Sequence, residues 1–216
     1  MNLNSLRQYG AASLRSLVRS THSQAANTVV QCARRPELFY HLIQPPTPLS
    51  PVSSVLAVSF LSQPLHNAES SAILGWVPAP SNSSSKSPEE LTQLVSWRDF
   101  RENATFRDIL HKSIYTTLRD GNDQVWVNGA KQLQDGWMHI HDQRNPPPLG
   151  RIGDPDDIIA SVLVENSTVK AETYQPMPSY RMCTADGVLQ LTPELLADLV
   201  RALERVVQGD NATVNP

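Results

Sequence analysis

Cysteine is nearly absent: Cys32 and Cys183 are the only two in 216 residues, too few for the disulfide framework of a small secreted fold. No stretch approaches the roughly 18 consecutive apolar residues of a membrane-crossing helix, so no membrane span is expected. The first 36 residues contain no acid and no lysine, and they lack the continuous apolar core of roughly 7 to 15 residues that a secretory signal needs. Beyond them, lysine and arginine never form a run. That argues against a nucleic-acid partner, because contact with phosphates needs clustered positive charge. The Ser nucleophile elbow, the dinucleotide fingerprint, the zincin helix and the Cys-x-x-Cys pair are missing too.

What the N-terminus does contain is arginine: Arg7, Arg15, Arg19, Arg34 and Arg35, among many Ser, Thr, Asn and Gln. Leu3, Leu6, Leu14, Leu17 and Val18 share one side of a helix, although Arg7 falls on that same side. The composition is that of a mitochondrial presequence, with a disordered basic N-terminus as the alternative. Removing residues 1–36 would change the formal net charge from -3 to -8, leaving an acidic protein addressed to the matrix. Four Asn-x-Ser/Thr sequons, at Asn82, Asn103, Asn166 and Asn211, are the one feature of a secretory route.

The rest reads as a single domain. A hydrophobic fraction of 40% supplies an ordinary core, and a compact region of about 150 residues buries about 70% of its unfolded surface without crosslinks. The 17 prolines exceed the usual share of about 5% and cluster in loops. Residues 37–53 read as a proline-rich linker, 54–209 as the folded domain and 210–216 as a disordered tail.

Within the domain, the apolar runs at 54–61 and 72–77 read as central strands. Ser87, with Pro88 and Glu90 behind it, starts a short helix by a capping box. Asn103 caps a longer helix whose Phe106, Ile109, Leu110, Ile114 and Leu118 face inward, and Gly121 stops it. His111 on that helix reads as a solvated surface residue. Residues 123–134 carry both a hairpin signal, Asn128-Gly129, and the helical face Trp126, Ala130 and Leu133; helix is the reading taken. From Trp137 the period becomes two, giving strands at 137–142, 158–164, 168–174, 180–184 and 188–191. A last helix opens at Pro193 behind Thr192 and ends at Gly209. The expected fold is α+β: an antiparallel or mixed sheet with helices packed mainly on one face.

The segments His139-Ile-His-Asp142, Asn145-Pro-Pro-Pro-Leu-Gly-Arg151, Asp154-Pro-Asp-Asp-Ile158, Tyr174-Gln-Pro-Met-Pro178 and Gly187-Val-Leu-Gln-Leu191 resemble a family of uncharacterised fungal proteins with mitochondrial-type N-termini. The resemblance covers about a third of the chain. It implies a mitochondrial address and carries no activity.

The candidate chemistry is concentrated at 136–191. His139 and His141 sit two apart on a strand, which points both imidazoles to one face, as a strand would present two nitrogen ligands to a divalent metal. Asp142 points the other way. Asp154, Asp156 or Asp157 could fold back to complete a His, His, carboxylate set, with Asp154 as the named third ligand. Set against that is a plain strand with Met138 and Ile140 in the core and Trp137, His139 and His141 along a partly exposed groove. Asp154-Pro-Asp-Asp157 lacks the ligand alternation of a calcium loop and reads as a turn with solvated aspartates. The stretch Gly150-Arg-Ile-Gly153 has no lysine and no helix behind it, so it is no phosphate loop; Arg151 and Arg181 could meet an anionic ligand or pair with nearby aspartates. Cys183 reads as a core residue. Two functions follow as expectations: a binding or assembly accessory with a protein partner, using the proline-rich loop and adjacent sheet face, or a small metal-dependent or anion-binding enzyme built on His139 and His141.

Overall fold

A computed structural model describes residues 29–65, 67–80, 90, 95–148 and 151–214, the side chains of 210–214 apart. The presequence helix, the capping box at Ser87 and the sequon at Asn82 lie outside the described residues. So do Leu149 and Gly150 of the proline-rich loop.

The fold is α+β, and its first sheet begins earlier in the chain than its composition announces. β1 (Val29–Gln31), β2 (Phe39–Ile43), β3 (Val55–Ser59), β4 (Gly75–Pro78) and β5 (Arg101–Glu102) lie in that spatial order, every neighbouring pair antiparallel. β1 falls inside the segment expected as presequence and β2 inside the expected linker. That boundary is corrected by burial: Leu38, Tyr40, His41, Leu42 and Ile43 are all in the core. Arg35 is tied in as well, its guanidinium donating to the carbonyls of Val188 and Leu189 at 2.7 and 2.9 Å across more than 150 residues of sequence. β3 is buried along its whole length, as its unbroken apolar run requires of a central strand. The short β5 gives no sequence signal because its two residues, Arg101 and Glu102, are polar. It pairs with β4 through Gly75, where a Cβ would stand 2.3 Å from Phe100 Cζ and 2.5 Å from the Arg101 carbonyl oxygen.

α1 (Ala104–Asp120) is capped by Asn103, whose side chain accepts from the Thr105 N–H, and stopped by Gly121 at φ 64°, both as read from sequence. α2 (Gln124–Leu133) resolves the ambiguity at 123–134 in favour of helix, with Asp123 as its cap. Then comes the second sheet: β6 (Gly136–His141), β7 (Ile158–Glu165) and β8 (Thr168–Pro176), antiparallel in the order β6-β7-β8. Asn166 and Ser167 make the β7-β8 turn with φ of 51° and 61°, a backbone that fits the strand twist. β9 (Cys183–Thr184) and β10 (Gly187–Val188) form a small hairpin. α3 (Pro193–Val214) closes the chain. It runs through Gly209, expected as its end, into the segment expected as a tail; a glycine inside a helix costs only about 1 kcal/mol.

α1 packs on β8 and α3, and α2 packs on β6 and β8. One face of the second sheet is therefore covered by helices. The buried residues of both sheets and all three helices form one continuous cluster. His111, expected to be solvated, is instead half-buried on α1 with Nδ1 2.8 Å from the Tyr174 hydroxyl. Burial and the neighbouring Arg107 lower its pKa to about 4. No helix among the described residues is long and apolar enough to cross a membrane.

Candidate functional site

β6 sorts its side chains as a half-covered strand does. Met138 and Ile140 point under the helices, at 8% and 0% exposure, while Trp137 is 49% exposed on the opposite face. His139 and His141 share that outer face, both half-buried. Their ring centroids are 6.1 Å apart with planes at 75°. His139 Nδ1 lies 2.8 Å from Oγ of Ser161, its register partner on β7.

His141 is met by the proline-rich loop, though not by an aspartate. Gly153 lies against its ring, so closely that a Cβ there would sit 2.8 Å from Nδ1 and 3.0 Å from Cε1. That Nδ1 is buried with no hydrogen-bond partner among the described residues. Burial and the adjacent His139 lower the His141 pKa, against a smaller upward pull from Asp157. Gly153→Ala is therefore expected to displace the ring or the loop. The cost should be about 1–3 kcal/mol by overpacking, checked by urea denaturation together with a shift of the His141 imidazole resonances.

Asp154, the named third ligand, is exposed, and its Oδ1 accepts from the Asp156 N–H at 3.0 Å. It caps the 3-10 turn at Pro155–Asp157, as the turn reading required. Among the described residues no group of three or more His, Cys, Asp or Glu is gathered closely enough to hold a metal. The structure brings His139 and His141 together and leaves Asp154 out.

Asp157 is not solvated. It is buried against Arg144, the residue that sequence reading passed over and that organises this end of the molecule. Arg144 has a side chain only 2% exposed. Its Nε donates to Asp157 Oδ1 at 2.8 Å, and Nη1 is 3.6 Å from Asp142 Oδ2. Carbonyls of Arg181, Asp156 and Gly187 take the remaining N–H groups at 2.6, 3.2 and 3.3 Å. Its guanidinium carbon stands 5.8 Å from the centroid of the Tyr180 ring. Asp142 accepts from the main-chain N–H of Arg144 and Gln190 and from the Tyr180 hydroxyl, at 3.0, 2.9 and 2.9 Å. Burial nevertheless pushes its pKa up, against the pull of Arg144. Each nitrogen of the guanidinium has an acceptor, as a desolvated guanidinium requires. The one sequence signal was an arginine set two residues after Asp142 and ahead of three more aspartates.

On the far side of this network is an open cleft of about 630 Å³ between Trp97 and Arg98, the turn at Asp154 to Asp157, and the β9-β10 hairpin. Arg181 is exposed along it, its main-chain N–H donating to the Asp156 carbonyl at 3.1 Å. Arg151 is exposed outside it. Neither arginine forms an ion pair among the described residues, so the expected pairing with nearby aspartates is not made. Cys183 lines the cleft wall, but burial pushes its thiol up to about 11. A thiol held protonated at neutral pH is a poor nucleophile.

Comparison with protein-family models, with curated proteins and with solved structures finds no match for this chain.

Proposed function

We propose that the protein is a non-catalytic binding module whose partner, another protein, adds an extended segment along the free edge of β6. The observation that carries this is the contrast between sheet edges. A free edge exposes unpaired N–H and C=O groups, and natural proteins blunt such edges by shortness, charge or proline. β1 has three residues and β5 two. β8, the other outer strand of the second sheet, carries Lys170, Glu172 and Pro176. β6 has six residues, Gly-Trp-Met-His-Ile-His, with no acid, lysine, arginine or proline. Among the described residues no strand pairs with its outer side. Trp137, half-exposed beside that edge, supplies the kind of large amphipathic anchor that dominates interface energies.

The address we propose is mitochondrial, in keeping with the arginine-rich, acid-free N-terminus. A cut that preserves the described sheet falls before Val29 rather than after residue 36. Arg34 and Arg35 are then retained, and the net charge becomes -6.

The test replaces Trp137 by a photo-crosslinking residue and recovers the protein from isolated mitochondria. One discrete crosslinked partner is expected, and Trp137→Lys, which adds an edge guard without touching the core, should abolish the complex. Recovery of the wild-type protein alone at monomer size, or a complex indifferent to the lysine, overturns the docking reading. Recovery outside mitochondria overturns the address and leaves the docking reading standing.

A further inference from the structure

We infer that His139 and His141 form a two-imidazole chelate for one borderline divalent ion of the Zn²⁺ class. This does not depend on partner binding. The pair lies on one strand face two residues apart, and neither ring is ion-paired among the described residues. With metal–nitrogen bonds of about 2.0–2.1 Å, two imidazoles on a tetrahedral ion hold their centroids about 5 Å apart. The observed 6.1 Å asks for about 1 Å of closure, which small side-chain rotations provide on a half-exposed face.

The surroundings of each ring decide which nitrogen is offered. A ligating histidine commonly donates its other ring N–H to a fixed acceptor, and Ser161 Oγ, 2.8 Å from His139 Nδ1, is such an acceptor. With Nδ1–H donating to Ser161, the lone pair sits on Nε2. In His141 the buried Nδ1 faces Gly153, so Nε2 is again the nitrogen left for a ligand. Among the described residues no carboxylate completes the set, so the remaining positions are assigned to water, and the ion chosen should follow imidazole preference: Zn²⁺, Ni²⁺ and Cu²⁺ over Mg²⁺ and Ca²⁺.

The experiment titrates the chelator-stripped full-length protein with Zn²⁺ at pH 7.5 by calorimetry, then repeats it with His139→Asn and His141→Asn. One ion per chain is expected in the wild type, weakened at least tenfold in each variant, with Mg²⁺ giving no heat. Should the variants fold poorly, substoichiometric Cu²⁺ added to the wild type is read by NMR: resonances of His139, His141 and Ser161 are expected to broaden first. Absence of stoichiometric Zn²⁺ binding, binding retained in both variants, or Cu²⁺ broadening centred on other histidines overturns the site.

Discussion

Replacing Arg144 by alanine is expected to destabilise the protein by about 3–5 kcal/mol, the cost of breaking a buried ion pair from one side. Two carboxylates, Asp142 and Asp157, lose their counter-charge, and three main-chain carbonyls lose a donor. For a domain of this size that corresponds to a fall in melting temperature of roughly 10 °C. Arg144→Lys keeps the charge but not the fork, so an intermediate loss should follow. Urea denaturation of the two variants is the measurement, and an alanine variant within about 0.5 kcal/mol of wild type would show that the network contributes nothing. The triple variant Arg144→Ala, Asp142→Asn, Asp157→Asn should recover part of the loss, because the penalty comes from stranded charge more than from the missing attraction.

Acidification should expose a second weak point, His41. It is fully buried on β2, with Nε2 2.9 Å from the Leu61 carbonyl and Nδ1 buried without a partner among the described residues. The Leu61 oxygen can only accept, so Nε2 carries the hydrogen and Nδ1 is bare. Protonating Nδ1 would put an unpaired charge in the core, and burial accordingly holds the pKa down at about 4 against an ordinary 6.5. The unfolded chain takes up its proton near pH 6.5 while the folded chain waits until near pH 4. Stability is therefore complete above pH 6.5 and drains away as pH falls toward 4, by about 3 kcal/mol from this residue. His111, also lowered to about 4, adds a loss of the same sign. Unfolding free energies measured from pH 7 to pH 4 should fall less steeply in His41→Leu than in the wild type. Equal slopes would remove His41 as the cause.

Local chemistry was what the sequence displayed best. Asn103 and Gly121 bound α1 because a cap and a left-handed stop are decided within a few residues, and β6 showed its two faces because alternation is local as well. The start of the fold was hidden by composition: arginine and proline around residues 34–51 outweighed the five-residue apolar strand between them. Arg144 was illegible for a different reason. Its partners come from positions 142, 156, 157, 181 and 187, and only the folded chain shows that they meet. His111 gave no hint of Tyr174, 63 residues away. At the candidate site, the shared face of His139 and His141 was readable from their spacing, whereas the contact with Gly153 was not. The sequence directed attention to the aspartates of that loop, and the loop meets the ring with a glycine instead.

The clasp between Arg35 and the carbonyls of Val188 and Leu189 also sets an order of events. A residue near the start of the fold waits for acceptors that emerge from synthesis about 150 residues later, and such distant closures are slow to form. Until the β9-β10 hairpin exists, the turn between β1 and β2 has no anchor on that side. A nascent chain therefore carries that turn on its local hydrogen bonds alone until the β9-β10 segment has been made.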